Sequence, residues 1–176
     1  ADADVAAYLP YNREVTDFKS VPFDLAAQND ILYGVAKVTK DVPTASLMMQ
    51  HAMTLVRVRL MKNEYMGTGL VSDMTFAGVL TSGTVDALTG AVTKDYNHGR
   101  GSVKVGGNYM LNDEKPVIVD AIMIPRAAYD EQASVSFVID GQKHTYAFPV
   151  QHEWKAGMKY TYTLKMTGNY NAPVNK

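Results

Sequence analysis

The sequence contains no cysteine and only one tryptophan in 176 residues. The lack of cysteine excludes disulfides, a thiol nucleophile and thiolate-bound zinc. A dominant charge is also missing, because seventeen basic residues oppose eighteen acidic ones and the formal net charge is −1. This balance argues against a nucleic-acid surface and against a polybasic membrane patch. No apolar run approaches the roughly 20 residues of a membrane-spanning helix, so no transmembrane segment is predicted.

The sequence also has little helical character. No segment repeats apolar residues at the spacing of an amphipathic helix. Short β-rich runs instead alternate with turn residues about every eight to twelve positions, which is typical of an all-β sandwich or barrel. We therefore predict an all-β fold, an antiparallel two-sheet β-sandwich with little or no helix.

The segment SVSFVIDGQKHTYAFPV gives the clearest local prediction, a β-hairpin. Its Asp140-Gly141 pair suits a type I′ turn, because that turn requires positive φ at both central residues. Two glycine-containing segments, YMGTGLVSDMTFAG and VLTSGTVDALTGAV, are expected to form short strands separated by turns or bulges.

The segment SLMMQHAMTLVRVRLM is expected to form one long strand. Its second half alternates, with Val56, Val58 and Leu60 predicted to point inward and Arg57 and Arg59 outward. Its first half is apolar on both faces, which indicates a change of phase or a bulge between the halves. The cluster of Met48, Met49 and Met53 is interpreted as filling an irregular core region, or as a face that accepts another strand.

The segment WKAGMKYTYTLKMTG carries a bulky side chain at every second position. The bulky set is Met158, Tyr160, Tyr162, Leu164 and Met166, and lysine and threonine occupy the positions between them. Because successive side chains of a strand point to opposite faces, this pattern predicts a strand with one apolar and one solvated face. We expect it to be a core or edge strand of the last sheet.

The residue types that commonly carry chemistry form no recognisable constellation. The four histidines lack the spacing that places two imidazoles on one metal, and His51 is interpreted as a structural residue within an apolar strand. No catalytic residue, metal site or cofactor is predicted, and the protein is not expected to be an enzyme. Three acidic pairs are expected to be solvated loop residues: Asp2/Asp4, Asp113/Glu114 and Asp130/Glu131.

Two other functions stay open at this stage. Eleven tyrosines are compatible with a carbohydrate-binding module of a surface glycan-uptake system. Such a module would show two or three exposed tyrosines or tryptophans in a row on one sheet face. A β-sandwich hydrolase would instead need paired carboxylates, or a serine with a histidine, converging in a cleft.

Five runs occur in a recognisable order: AAYLPYN, FDLAAQNDILYGVA, SLMMQHAMTLVRVRL, GTGLVSDMTFAGVLTSGTVD and WKAGMKYTYTLKMTG. In this order they resemble the fimbrillin family, the type V pilus subunits and related surface lipoproteins of Gram-negative gut and oral anaerobes. The resemblance spans nearly the whole chain and implies that the motif positions are structural. These positions are Tyr8, Pro10, Tyr11, Gln28, Asp30, His51, Trp154, Gly157, Tyr160 and Tyr162.

The resemblance implies a transthyretin-like or Greek-key sandwich that acts as a structural or adhesive fimbrial subunit. It further implies an extracellular, outer-membrane-associated lipoprotein, matured by a trypsin-like protease and polymerised by donor-strand exchange. Other fimbrial subunits are the expected partners, with surface receptors or glycans as further ones. Nucleic acid is not an expected partner.

The resemblance also implies a division of the chain. Residues 1–25 are expected to form an extended arm, the remnant of a preceding domain. Residues 26–168 are expected to form the sandwich, and residues 169–176 a C-terminal tail. Two departures stand out, because family members usually carry a full domain before the aromatic-Pro-Tyr strand and a lipidated cysteine. Here only a few residues precede Tyr8, and cysteine is absent.

Overall fold

A computed structural model describes residues 2–167, so the expected tail lies outside the described residues. The only helical element among the described residues is a 3-10 turn, Leu25–Ala27. The strands are β1 (Ala3–Leu9), β2 (Val21–Asp24), β3 (Leu32–Val38), β4 (Gln50–His51), β5 (Thr54–Met61), β6 (Leu70–Leu80), β7 (Ser82–Val85), β8 (Val92–Lys94), β9 (Arg100–Lys104), β10 (Tyr109–Met110), β11 (Val117–Met123), β12 (Ser134–Ile139), β13 (Gln142–Ala147) and β14 (Lys159–Lys165). The all-β prediction is confirmed.

Two sheets form the sandwich. One, the front sheet, has the strand order β11-β5-β14. The other, the back sheet, has the order β10-β6-β12-β13, and β9 pairs with the remaining half of β6. The inner faces of both sheets contribute to one hydrophobic cluster, because alternate residues of each strand point inward. The predicted inward residues Val56, Val58 and Leu60 are fully buried there.

Two smaller sheets flank the sandwich, with the orders β1-β3-β4 and β2-β7-β8. Residues 1–25 supply β1 to the first and β2 to the second. Strand β1 pairs antiparallel with β3 along its whole length, from Ala3 opposite Val38 to Leu9 opposite Leu32. No residue of β1 is fully buried, so its attachment consists mainly of ladder hydrogen bonds.

The predicted hairpin is confirmed. Strands β12 and β13 are joined by Asp140 and Gly141, whose φ angles are 48° and 82°. The Asp140 carboxylate also accepts hydrogen bonds from the Tyr65 hydroxyl at 2.7 Å and from the amides of Gly69 and Leu70. The turn therefore fixes the start of β6 as well as the hairpin itself.

The expectation of one long strand through residues 46–61 is wrong. Strand pairing in this segment starts only at Gln50 and is interrupted between His51 and Thr54. The interruption agrees with the expected change of phase between the two halves. The break occurs because Ala52 and Met53 turn into the core, where the Ala52 amide donates to the Ile31 carbonyl at 2.8 Å. Core burial at this point outweighs continuation of the ladder.

The glycine-containing segment after residue 66 does not form short strands. Strand β6 runs for eleven residues and is the longest strand described. Gly78 lies inside it at a bulge, with a φ of +74°. A β-carbon at this position would meet the Gln132 carbonyl oxygen at 2.4 Å, so the glycine permits a close backbone approach instead of ending the strand.

Candidate functional site

The outer edge of β14 is the most distinctive feature of the sandwich. Among the described residues β14 pairs with β5 alone, in parallel register from Lys159 beside Leu55 to Lys165 beside Met61. This is the one parallel pair among the described ladders, within the mainly antiparallel arrangement that the sequence predicts. The position of β14 at an edge is one of the two that the sequence allowed. The edge is seven residues long and carries no bulge.

Two hydrogen bonds show which backbone groups of β14 face this edge. The Met158 carbonyl accepts from the Leu55 amide at 3.0 Å, and the Met166 amide donates to the Met61 carbonyl at 2.9 Å. In a parallel pair, alternate residues of a strand direct both backbone groups toward the same neighbour. The even-numbered residues thus bond to β5, and odd-numbered residues such as Thr163 point their N–H and C=O groups away from the sheet.

The inward side chains at this edge are only partly covered. Tyr160, Tyr162 and Leu164 are half-buried, although they belong to the apolar face that the sequence predicts. On the back sheet, Tyr146 of β13 is also half-buried, and its ring lies 6.2 Å from that of Tyr162. The apolar side chains of β14 and β13 are therefore incompletely covered at this margin of the sandwich.

A buried aromatic cluster anchors β14 at its N-terminal end. Trp154 is 1% exposed, and its Nε1–H donates to the Tyr162 hydroxyl at 2.9 Å. The Arg126 guanidinium stacks on the indole at 4.0 Å, and Phe148 packs edge-on against it at 5.3 Å. Burial raises the pKa of Tyr162, because it favours the neutral phenol over the phenolate. The single tryptophan thus joins β14 to the loops on both sides of the hairpin.

The turn between Trp154 and β14 is shaped by the other motif residues. The Lys155 amide donates to the Tyr160 hydroxyl at 3.0 Å. Gly157 has a φ of +72°, which favours glycine, and its amide donates to the Met53 carbonyl at 2.8 Å. These contacts direct the chain into the parallel ladder along β5.

Gln28 takes the place of a strand beside β11. Its side-chain amide donates to the Ile122 carbonyl at 3.1 Å, and its side-chain oxygen accepts from the Ile122 amide at 2.8 Å. The residue follows the 3-10 turn with a left-handed φ of 51° and also donates to the Leu25 carbonyl. One glutamine thereby occupies both backbone groups of Ile122 on the outer side of β11.

The remaining motif residues lie near the small β1-β3-β4 sheet. The Tyr8 hydroxyl donates to the Asn12 carbonyl at 2.9 Å, the Leu9–Pro10 peptide is cis, and Tyr11 is exposed. His51 contacts the carboxylate of Asp30, but more than half of the His51 side chain is exposed. The strand around His51 is exposed and not apolar as expected, because the chain turns into the core only at the next residue. A structural role for His51 stays a prediction.

The structure brings together one group of residues that the sequence did not connect. Lys94 lies between Asp130 and Glu131, with its Nζ 3.7 Å from Glu131 Oε1. Glu131 is 4% exposed, so its expected placement in a solvated loop is wrong. Burial raises the pKa of this carboxyl, and the nearby lysine opposes that effect. These residues fasten β8 to the loop before β12 and have the character of a structural ion cluster.

The features that the two alternative functions require are not seen among residues 2–167. The exposed aromatics Tyr11, Phe18, Tyr96 and Tyr129 lie in loops and not in a row on one sheet face. Asp95 contacts His98 at 2.6 Å in a cleft that Ser82 also lines. However, the Ser82 hydroxyl is buried and bonds neither residue, so it is not placed as a nucleophile. No group of three potential metal-ligating side chains occurs in the same range.

A comparison with models of protein families shows to which family the chain belongs. The model of fimbrillin-like proteins matches residues 1–175. The chain belongs to the fimbrillin-like family. This confirms the resemblance that the ordered motifs indicate, and it supports a fimbrial or adhesive role at the cell surface. No helix in residues 2–167 is long and apolar enough to cross a bilayer.

Solved structures share the fold of this fimbrillin-like chain. A candidate cell adhesion protein of Bacteroides uniformis is 19% identical with a TM-score of 0.68, covering 93% of this chain and 67% of that one. One from Bacteroides ovatus is 14% identical with a TM-score of 0.69, covering 94% and 63%. One from Bacteroides fragilis is 15% identical with a TM-score of 0.61, covering 82% and 54%. The chain thus spans about two thirds of the first structure and less of the other two. No match was found among curated proteins.

Proposed function

We propose that this chain is a structural or adhesive subunit of a cell-surface fimbria and that it joins other subunits by donor-strand exchange. The observation that carries the proposal is the open edge of β14. An extended segment of a neighbouring subunit would add there as a fourth strand of the front sheet. Its backbone would pair with the outward N–H and C=O groups, and its alternate side chains would cover the half-buried side chains at this margin.

The partly covered aromatics at this edge favour such an addition. A strand beside β14 would complete the burial of Tyr160, Tyr162 and Leu164 on the front sheet and of Tyr146 on the back sheet. Burial of their apolar surface would stabilise the complex by roughly 25 cal/mol for each Å² removed from water. A long, unbulged edge with incompletely buried side chains is otherwise a liability that monomeric proteins avoid.

Within residues 1–25, strand β1 is the segment that we propose to be exchanged or displaced. Strand β1 is held by a single neighbour and buries no side chain fully. It can thus leave without exposing a fully buried side chain. In this proposal residues 1–25 are the arm left by a preceding domain, and residues 26–168 form the sandwich that remains.

The proposal places the protein outside the cell, at the outer membrane, as a lipoprotein or its processed product. Its partners are other fimbrial subunits, and no catalytic role is proposed. The test is limited trypsin treatment of the secreted precursor, followed by electrophoresis without boiling. Detergent-resistant multimers that form only after cleavage support the proposal. A protein that is cleaved cleanly and stays monomeric contradicts strand exchange and leaves a surface role without polymerisation.

A further inference from the structure

The outward face of the front sheet carries an ordered set of side chains that the assembly edge does not use. Alternation along the strands and the register of the two ladders place these residues on one surface. The central strand β5 contributes Leu55, Arg57, Arg59 and Met61, β14 contributes Lys159, Thr161, Thr163 and Lys165, and β11 contributes Ile118, Asp120 and Ile122. We call this surface the basic face.

Positive charge dominates the basic face, although the whole chain is nearly neutral. Four cations and one carboxylate give it a net charge of +3, against −1 for the chain. Arg57 binds Asp120 through two hydrogen bonds of 2.7 Å, and this contact lowers the pKa of Asp120, with a smaller effect from Lys159. The single acid is therefore ionised and already occupied.

The other cations are available to a partner. Arg59, Lys159 and Lys165 form no ion pair with an acidic residue of the described chain. Arg59 lies beside Thr163 in the ladder, so a guanidinium and a hydroxyl adjoin each other. The two lysines are six positions apart, which places them about 20 Å from each other along the strand at ~3.3 Å per residue.

We propose that the basic face binds an acidic polysaccharide that carries sulfate or carboxylate groups. Guanidinium groups bind such oxyanions with two hydrogen bonds, and the ammonium and hydroxyl groups add point contacts along a flat surface. A lipid surface fits less well, because Ile118 is the one strongly exposed large apolar side chain of this face. This partner extends the proposed surface role. It rests on the proposed function only in assuming that the basic face lies outside the cell.

The test measures binding of a sulfated dextran to the monomeric chain of 176 residues, with neutral dextran of the same length as a control. The variant Lys159→Gln/Lys165→Gln removes two exposed charges without touching the core, and Arg59→Gln removes the guanidinium. The matched control is Lys37→Gln/Lys40→Gln, which makes the same change of charge at two exposed positions in and just after β3. Thermal unfolding checks that each variant is folded.

The expected result is binding of the sulfated polymer alone, weakened several-fold between about 0.05 and 0.3 M salt because the charges are exposed to solvent. The double lysine variant should bind about five- to tenfold more weakly, as for two solvent-exposed ion contacts, and the control should bind normally. Equal loss in the control, or none in either basic-face variant, would overturn the proposal. So would equally tight binding of a DNA duplex, since the face would then attract any polyanion. The binding measurement uses the monomer, so it is independent of assembly. A monomer that does not bind the sulfated polymer would not argue against strand exchange. A protein that does not assemble would not argue against polysaccharide binding.

Discussion

Trp154 is the residue on which the attachment of β14 depends most. The indole contacts Arg126 and Phe148 and donates to Tyr162, so its loss removes a large buried side chain and frees a hydroxyl at the same time. We expect Trp154→Ala to lower the free energy of unfolding by about 3–5 kcal/mol in chemical denaturation. Trp154→Phe should cost less, since a ring remains. A change near zero for the alanine variant would contradict the buried position.

Asp140 gives a prediction about pH. Hydrogen bonds from Gly69 and then from Tyr65 lower the pKa of its carboxyl in the folded state. The stabilisation is therefore present above the unfolded pKa, near 4, and is lost as the pH falls through the lower folded value. Asp140→Asn keeps a residue that tolerates the turn but removes the charge. We expect a melting midpoint about 2–4 °C lower at pH 7, and a difference that shrinks below pH ~4. A pH-independent difference would contradict this account.

At the residue scale, the features that the sequence predicts correctly are those that neighbouring residues determine. The Asp140-Gly141 turn and the alternation of β5 follow from the type I′ requirement and the period of two, and both are confirmed. Glu131 was misplaced because its burial depends on Lys94, which is distant in the sequence and carries no local signal. The double amide contact of Gln28 with Ile122 spans 94 positions and was equally invisible.

At the scale of the element, β14 combines a predictable pattern with an unpredictable partner. Its alternation identifies a strand with one solvated face, and the solvated residues are exposed as expected. Its parallel pairing with β5 joins segments about a hundred residues apart. No turn residue marks such a connection, whereas a hairpin has one.

The outward amide of Thr163 allows the open edge to be blocked selectively. Proline removes an N–H that no ladder bond uses, and proline is tolerated on the solvent side of an edge strand. Thr163→Pro should therefore fold as a monomer but lose assembly after cleavage, as seen by electrophoresis without boiling. Thr163→Val keeps the amide and the side-chain shape, and it should assemble normally. Assembly of the proline variant at the normal rate would show that another edge is used.

At the scale of the whole molecule, the all-β sandwich was predictable because turn signals and strand patterns agree along the chain. The arrangement of four sheets was not, since sheet order depends on contacts between remote strands. The proposed role of residues 1–25 belongs to this scale, and the absence of native cysteine makes it testable with an engineered disulfide.

Ala6 and Val35 are directly opposed in the antiparallel pair of β1 and β3. Their α-carbons are then close enough for a disulfide, at about 4.5–5.5 Å. We expect Ala6→Cys/Val35→Cys to assemble when reduced and to stay monomeric when oxidised, because the bond holds β1 in place. Electrophoresis with and without reductant measures this. Equal assembly of both forms would show that β1 stays with its own subunit.

The most direct test of the central claim is residue-resolved amide exchange of β14 before and after assembly. In the monomer the amides of Thr161 and Thr163, which point away from β5, should exchange quickly. The amides of Tyr160 and Tyr162 should be protected, because they donate hydrogen bonds to β5. After assembly the threonine amides should become protected as well, because a neighbouring strand accepts their hydrogen bonds. Threonine amides that exchange equally fast in the assembled and monomeric protein would contradict strand addition at this edge.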